Sequence, residues 1–238
     1  MAWTTHESVE EGFIERPFAF DAPTSGSWIP GVYRTPVGGG ADRLVLLGHG
    51  GTTDKRAPYI VDVARQLAQR GIASMAIDGP GHGERAAAGA APGLEWLARV
   101  WDDGGGTKGV INDWGEALDF IEGEFGPRST GWWGLSMGTM MGLLVSASDE
   151  RIRVALLGLM GVGGPNSEDL ERLAPQLACP VRFLVQWDDE IVPRATAIEL
   201  FGLLGSAKKT LHANPGIHVA VPRFEVEASV EYLDHHLR

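Results

Sequence analysis

The sequence predicts an α/β fold, a mainly parallel central sheet with helices on both faces. Three observations carry that expectation. Short apolar runs alternate with segments of helical period over most of the chain. The runs are continuously apolar, as strands buried on both faces are, and do not alternate with polar residues. Glycine and polar clusters separate them, as strand-to-helix turns require. A length of 238 residues suits a single domain, 1–238, around one large core.

The elements follow in order. Residues 8–34 are short and mixed, punctuated by Pro17, Pro23, Gly26 and Pro30, which fits antiparallel strands at a sheet edge. The run RLVLLG at 43–48 reads as the first core strand. A polar glycine turn follows it, and Ile60, Val63, Ala64, Leu67 and Ala68 then predict a helix over 57–70. Further strands are expected at 72–77, 129–135, 153–160, 180–186 and 208–212. Helices are expected over 110–124, 137–148, 168–177, 195–204 and 222–237. Residues 85–109, rich in Ala and Gly yet carrying Trp96 and Trp101, read as an insertion over the sheet edge, a short lid.

Composition narrows the function. Hydrophobic residues at 44% against 21% charged are globular usage, which excludes a disordered chain. A net charge of −11 repels phosphate backbones and anionic membranes, so neither is an expected partner. One cysteine cannot close an internal disulfide and fits a reducing compartment. MAWTTHESVEEGF has no basic n-region and no apolar h-region, and no apolar stretch reaches membrane-spanning length, so a cytoplasmic protein is expected.

Ligands of parallel α/β sheets bind beyond the carboxyl ends of the strands, and reactive residues gather at those positions here. Gly134-Leu135-Ser136-Met137-Gly138 ends one expected strand and opens a helix. Composition alone would produce G-x-S-x-G roughly 0.2 times in such a chain, so the strand-to-helix context carries the weight. A serine hydroxyl is a weak nucleophile and needs a base with a carboxylate to orient it. Downstream, Gln186-Trp187-Asp188-Asp189-Glu190-Ile191-Val192-Pro193 puts acids after a strand, and Asn214-Pro215-Gly216-Ile217-His218 puts a histidine before the last helix.

On these motifs, from about Leu44 to its C-terminus, the chain resembles the α/β-hydrolases, in particular the small serine esterases and dienelactone-hydrolase-like proteins. The resemblance implies the α/β-hydrolase fold and a carboxylesterase with the chain order Ser136, acid, His218. The family's acid stands three residues before the Val of a Val-Pro pair, which implies Asp189, with Asp188 the alternative one residue off. Gln186 departs from the family, which more often has glycine there. Serine stands where dienelactone hydrolases proper carry cysteine, so that particular activity is not implied. The resemblance also assigns the two N–H donors for the transition-state oxyanion to Met137 and to Gly51 of His49-Gly50-Gly51-Thr52, with Thr52 the substitute for Gly51.

The expected chemistry is hydrolysis of a small ester through an acyl-enzyme on Ser136, without cofactor or metal. Activity should rise with pH through about 6–7 as an imidazole base loses its proton. The same residues could act on an amide, a thioester or a peracid. A non-catalytic binding protein on the same fold is the rival from another class, and a homodimer is left open. Candidate pocket residues are Trp187, Met160, Ile191, Trp96, Trp101 and His82, while Trp132 and Trp133 read as core. His49 is expected to brace its loop, and His6, His212, His235 and His236 to lie outside the chemistry. Gly79-x-Gly81-x-Gly83 lacks the last small residue of a dinucleotide site, Gly104-Gly105-Gly106 reads as a hinge, and Cys179 as a small core residue.

Overall fold

The computed structural model describes residues 2–4, 7–10, 12–22, 26, 28–39, 41–87 and 94–238. The lead-in residues His6 and Pro23, and residues 88–93 of the insertion, lie outside them. The chain opens with β1 (Ala2–Trp3), β2 (Ser8–Glu10), β3 (Phe13–Asp21) and β4 (Trp28–Pro36), all antiparallel, as the proline punctuation suggests. Alternation then begins: β5 (Arg43–Gly48), α1 (Pro58–Ala68), β6 (Ala73–Ile77), α2 (Leu94–Asp103), α3 (Gly106–Phe125), β7 (Ser129–Gly134) and α4 (Met137–Ser148). The last elements are β8 (Ile152–Gly158), α5 (Ser167–Leu173), β9 (Val181–Gln186), α6 (Arg194–Leu203), β10 (Lys209–Asn214) and α7 (Arg223–His236).

The insertion 85–109 holds more regular structure than its composition suggests. It contains α2 and the first turn of α3, which starts at Gly106 and not at 110. Trp101 is buried in the core and Val100 packs where a side chain on Gly81 would stand, so α2 is held by its apolar face. Gly105 and Gly106, at φ 85° and 61°, make the tight link between α2 and α3. The helix expected over 168–177 stops at Leu173 and tightens to a 3₁₀ turn at Ala174–Gln176, because Pro175 has no N–H to continue it.

The sheet order is β1-β3-β4-β6-β5-β7-β8-β9-β10, with β2 on β3, and the six strands from β6 to β10 are parallel. After β5 the chain goes to β6 on one side and then returns to β7 on the other. That reversal leaves a crevice beyond the carboxyl ends of β5 and β7, where a ligand can enter.

The pleat divides the core. Leu44, Leu46, Trp132 and Phe183 point to one face, packed by α3, α4, α5 and α6, with Trp114 edge-on to Trp132 at 4.6 Å. Val45, Leu47, Trp133 and Leu184 point to the other, covered by α1 and α7. The central helix α4 is apolar all round and buried from Met137 to Ser146. Among the described residues no helix is long and apolar enough to cross a membrane.

A buried ion network ties the loops at one end of the sheet. Asp78, just past β6, accepts Lys55 Nζ at 2.6 Å and the amides of Lys55 and Glu84 at 3.0 and 2.9 Å. Arg85 pairs with Asp113 of α3 at 2.9 Å, and burial pushes the Asp113 carboxyl up to about 6. Gly81 and Gly83 therefore shape a pinned loop after β6, not a dinucleotide cradle. Gly83, at φ 53°, has no room for a Cβ against the Asp78 carboxylate.

Candidate active site

Ser136 sits at the turn from β7 to α4 with φ 58° and ψ −122°, a conformation costing of order 1–3 kcal/mol for a residue with a Cβ. The surroundings enforce it. A Cβ on Gly134 would lie 2.6 Å from the Gly138 carbonyl oxygen, and one on Gly138 would lie 2.3 Å from that of Gly48. Only glycine at both positions lets α4 press against β7 and β5. The Ser136 N–H bonds the Gly158 carbonyl at 2.9 Å, and Thr139 Oγ1 accepts the Gly158 N–H at 2.7 Å. Thr52 and Leu159 also lie at positive φ, 66° and 52°.

The bent backbone brings Ser136 Oγ to 3.0 Å from His218 Nε2, and His218 Nδ1 lies 2.7 Å from Asp189 Oδ2. The carboxylate fixes the tautomer: Nδ1–H donates to it, which leaves Nε2 as an acceptor for the serine hydroxyl. Asp189 Oδ1 accepts the amides of Ile191 and Val192 at 2.9 and 2.8 Å, so this carboxylate is fully engaged.

The neighbouring residues divide other work among themselves. Asp188 Oδ2 accepts the Gly216 N–H at 3.1 Å, and Glu190 Oε2 accepts the His218 N–H at 2.9 Å. Gln186 Nε2 donates to the carbonyls of Ala220 and Ile217 at 2.9 and 3.2 Å. Three consecutive acids and a buried glutamine thus grip the histidine loop from its partner loop. The sequence pattern marks Asp188 only as an alternative acid and gives Glu190 no role. For Gln186 the signal lay in the departure itself, because an amide there can bridge carbonyls that a glycine cannot reach.

The loop after β5 is fixed just as closely. Gly50 N–H donates to Tyr59 Oη at 2.7 Å, Tyr59 Oη and Thr53 Oγ1 are 3.0 Å apart, and Thr53 Oγ1 donates to the Gly50 carbonyl at 2.9 Å. The ring closes on a single residue. Burial raises the Tyr59 phenol pKa and keeps it protonated. His49 Nδ1–H also donates to the Gly50 carbonyl at 2.9 Å, while its Nε2 accepts the Gly79 N–H. Burial pushes the His49 imidazole down to about 4, so it is a neutral brace. A planar trans peptide sends C=O and N–H in opposite directions, so two donors holding the Gly50 oxygen also aim the Gly51 N–H. Among the described residues neither the Gly51 nor the Met137 amide has a protein acceptor.

A chamber of about 270 Å³ opens beside Ser136 and His218 on the α1/α7 side. Trp133 and Leu135 line it together with Tyr59 and Val63 of α1 and Val221 and Val226 of the α7 end. None of Trp96, Trp101, Trp187, Met160, Ile191 or His82 is among its lining residues. Trp96 is buried edge-on to His82 at 4.8 Å, and Trp101 and Met160 pack into the core of the opposite face. Trp187 and Ile191, 46% and 58% exposed, turn outward, with Arg194 stacked 4.7 Å above the indole. Trp133, read as core, is core and wall at once, since its Nε1 donates to Ser229 of α7 at 3.0 Å.

No protein-family model and no curated protein sequence matches the chain. Solved structures do. A cold-adapted esterase from an Arctic intertidal metagenomic library, in its PEG-bound complex, is 57% identical with a TM-score of 0.94, each chain covered over 100%. Acetyl xylan esterase from Paenibacillus sp. R4 shares the fold at 20% identity, TM-score 0.76, over 99% of this chain and 89% of that one. Dienelactone hydrolase from Anabaena variabilis does so at 20% identity, TM-score 0.70, over 94% and 99%. With a parallel sheet that reverses at β5, a serine on a strained strand-to-helix turn, and a full-length relative of this identity, the chain belongs to the esterases of the α/β-hydrolase family.

Proposed function

We propose that this protein is a carboxylesterase that cleaves small esters through an acyl-enzyme on Ser136. One observation carries the reading: the unbroken relay from Ser136 Oγ through His218 to Asp189, at 3.0 and 2.7 Å. His218 Nε2 takes the hydroxyl proton as Oγ attacks the carbonyl carbon, and Asp189 stabilises the imidazolium. The oxyanion rests on the Met137 and Gly51 amides, each worth about 2.7–4 kcal/mol in such sites. His218 returns the proton to the departing alkoxide. Water then repeats the sequence on the acyl-enzyme, releasing the acid and freeing Ser136.

Residues 85–109, with α2 packed on the loop after β6 through Val100 and Trp96, are assigned as the lid. The single cysteine fits a reducing, cytoplasmic setting. The test is hydrolysis of p-nitrophenyl acyl esters by wild type and Ser136→Ala. We expect short esters to turn over and the variant to lose at least about a thousandfold in kcat. A variant as active as wild type would remove Ser136 from the chemistry.

A further inference from the structure

We infer that the chamber between α1 and α7 is the subsite that selects the substrate, and that it takes one compact, uncharged, apolar arm of the ester, a single ring or a short chain. The inference rests on the hydrolase reading and adds to it the size and polarity of what is cleaved.

Placement comes first. The chamber is bounded by Ser136, by His218 and by Gly51, so a group filling it is attached directly to the carbonyl under attack. Size comes next. At about 270 Å³ it lies below the roughly 300–1,000 Å³ of sites for drug-sized ligands, and well above the roughly 150 Å³ that admits benzene. One ring with small substituents fits, whereas a long unbranched chain must leave through the mouth.

Chemistry is the third constraint. Trp133, Leu135, Val221 and Val226 give the arm apolar surface, and no Lys or Arg is among the lining residues. Asp62 is the one acid there, held by Gln66 at 2.8 Å and by Arg65 at 3.4 Å, and it offers nothing to an anionic arm. A carboxylate entering this space would lose water without gaining a cation.

Two features on the wall make the claim easy to test. Val226, half-buried on the first turns of α7, both lines the chamber and packs against the core, whereas Val219 is 78% exposed at the rim and accepts a larger side chain without disturbing the core. Steady-state kcat/KM would be measured for wild type, Val226→Trp and Val219→Trp. The substrates are p-nitrophenyl acetate, butyrate, benzoate and decanoate, and a second series of acetates of growing alcohols. On wild type, p-nitrophenyl 4-methylbenzoate is compared with its 4-carboxy counterpart, which has similar bulk and a charge.

Butyrate or benzoate should be the best acyl group, and the 4-carboxy ester should fall at least about thirtyfold below the 4-methyl one. Both Trp variants should cut the preferred arm by about tenfold or more, while p-nitrophenyl acetate changes by about threefold or less. A loss that follows the acyl series makes this the acyl subsite, and one that follows the alcohol series, p-nitrophenyl acetate included, makes it the leaving-group subsite. Robust turnover with unchanged acyl and alcohol profiles in all three proteins would overturn the inference and leave the esterase reading intact. So would a loss that follows the acyl series together with a 4-carboxy ester as good as the 4-methyl one. No turnover of any ester by wild type would remove both.

Discussion

The two faces of the sheet treat Ser136 differently. On one, α3, α4, α5 and α6 fill the space against Trp132, and glycines at 134 and 138 let backbone meet backbone. On the other, among the described residues, α1 and α7 cover the strands. They pack together deep in the core through Leu67, Val230 and Leu233, yet near their N-terminal ends Tyr59 and Val226 stand on opposite walls of the chamber. Rigid support and an opening are thus supplied by opposite sides of one residue. The closely packed face sets the backbone geometry of Ser136, and the thinly covered face is free to vary what reaches it.

The largest effect expected from that contrast belongs to the crowded face. Gly138→Val places side-chain atoms against the Gly48 backbone, and should destabilise by about 3 kcal/mol or more, read as a fall in urea midpoint at constant m. Val226→Ala on the open face should cost about 1 kcal/mol. Equal costs would break the comparison.

Next in size is a pH effect at His49, on the crowded side beside Gly79. Burial holds its folded pKa near 4, against about 6.5 in the unfolded chain. Between those values the unfolded chain binds the extra proton, so this residue makes stability climb as pH rises from 4 to 6.5, by up to about 3 kcal/mol. Denaturant melts at pH 4.5 and 7 should show a smaller difference for His49→Asn than for wild type. An undiminished difference would mean that the imidazole is not buried in this way.

Gln186→Leu sharpens the contrast at the chamber's far wall, where the histidine loop is held by hydrogen bonds more than by packing. It should lower kcat by about tenfold with KM within about twofold and an unchanged near-UV spectrum, because the base loses alignment while the chamber keeps its shape. The smallest effect is expected from Trp187→Ala. Its exposed indole should leave stability within about 0.5 kcal/mol and the ester-length profile unmoved. A shifted profile would extend the selective surface out to the rim.

Much of this was legible in the sequence, for physical reasons. Continuous apolar runs reveal strands buried on both sides, and the order of turns after them brings Ser136, Asp189 and His218 to one edge. The chamber was not legible. Trp132 and Trp133 are adjacent and equally apolar, and the pleat sends one into packed core and the other to a chamber wall. Which face stays open depends on how α1 and α7 diverge, a property of helix packing that no residue pattern states. The outward turn of Trp187 and Ile191 is equally hidden, because a loop has no period from which to infer direction. In the insertion, Ala and Gly masked a helix whose apolar contacts fall at Val100 and Trp101.

Tyr59 stands in two structures at once. Its hydroxyl closes the ring that orients the Gly50–Gly51 peptide, and its side chain is part of the chamber wall. Divergence among enzymes of this build should therefore be uneven. Val219, Val221 and Val226 can drift to new substrates by single steps, while any change at Tyr59 alters recognition and turnover together, so that position constrains which descendants remain accessible.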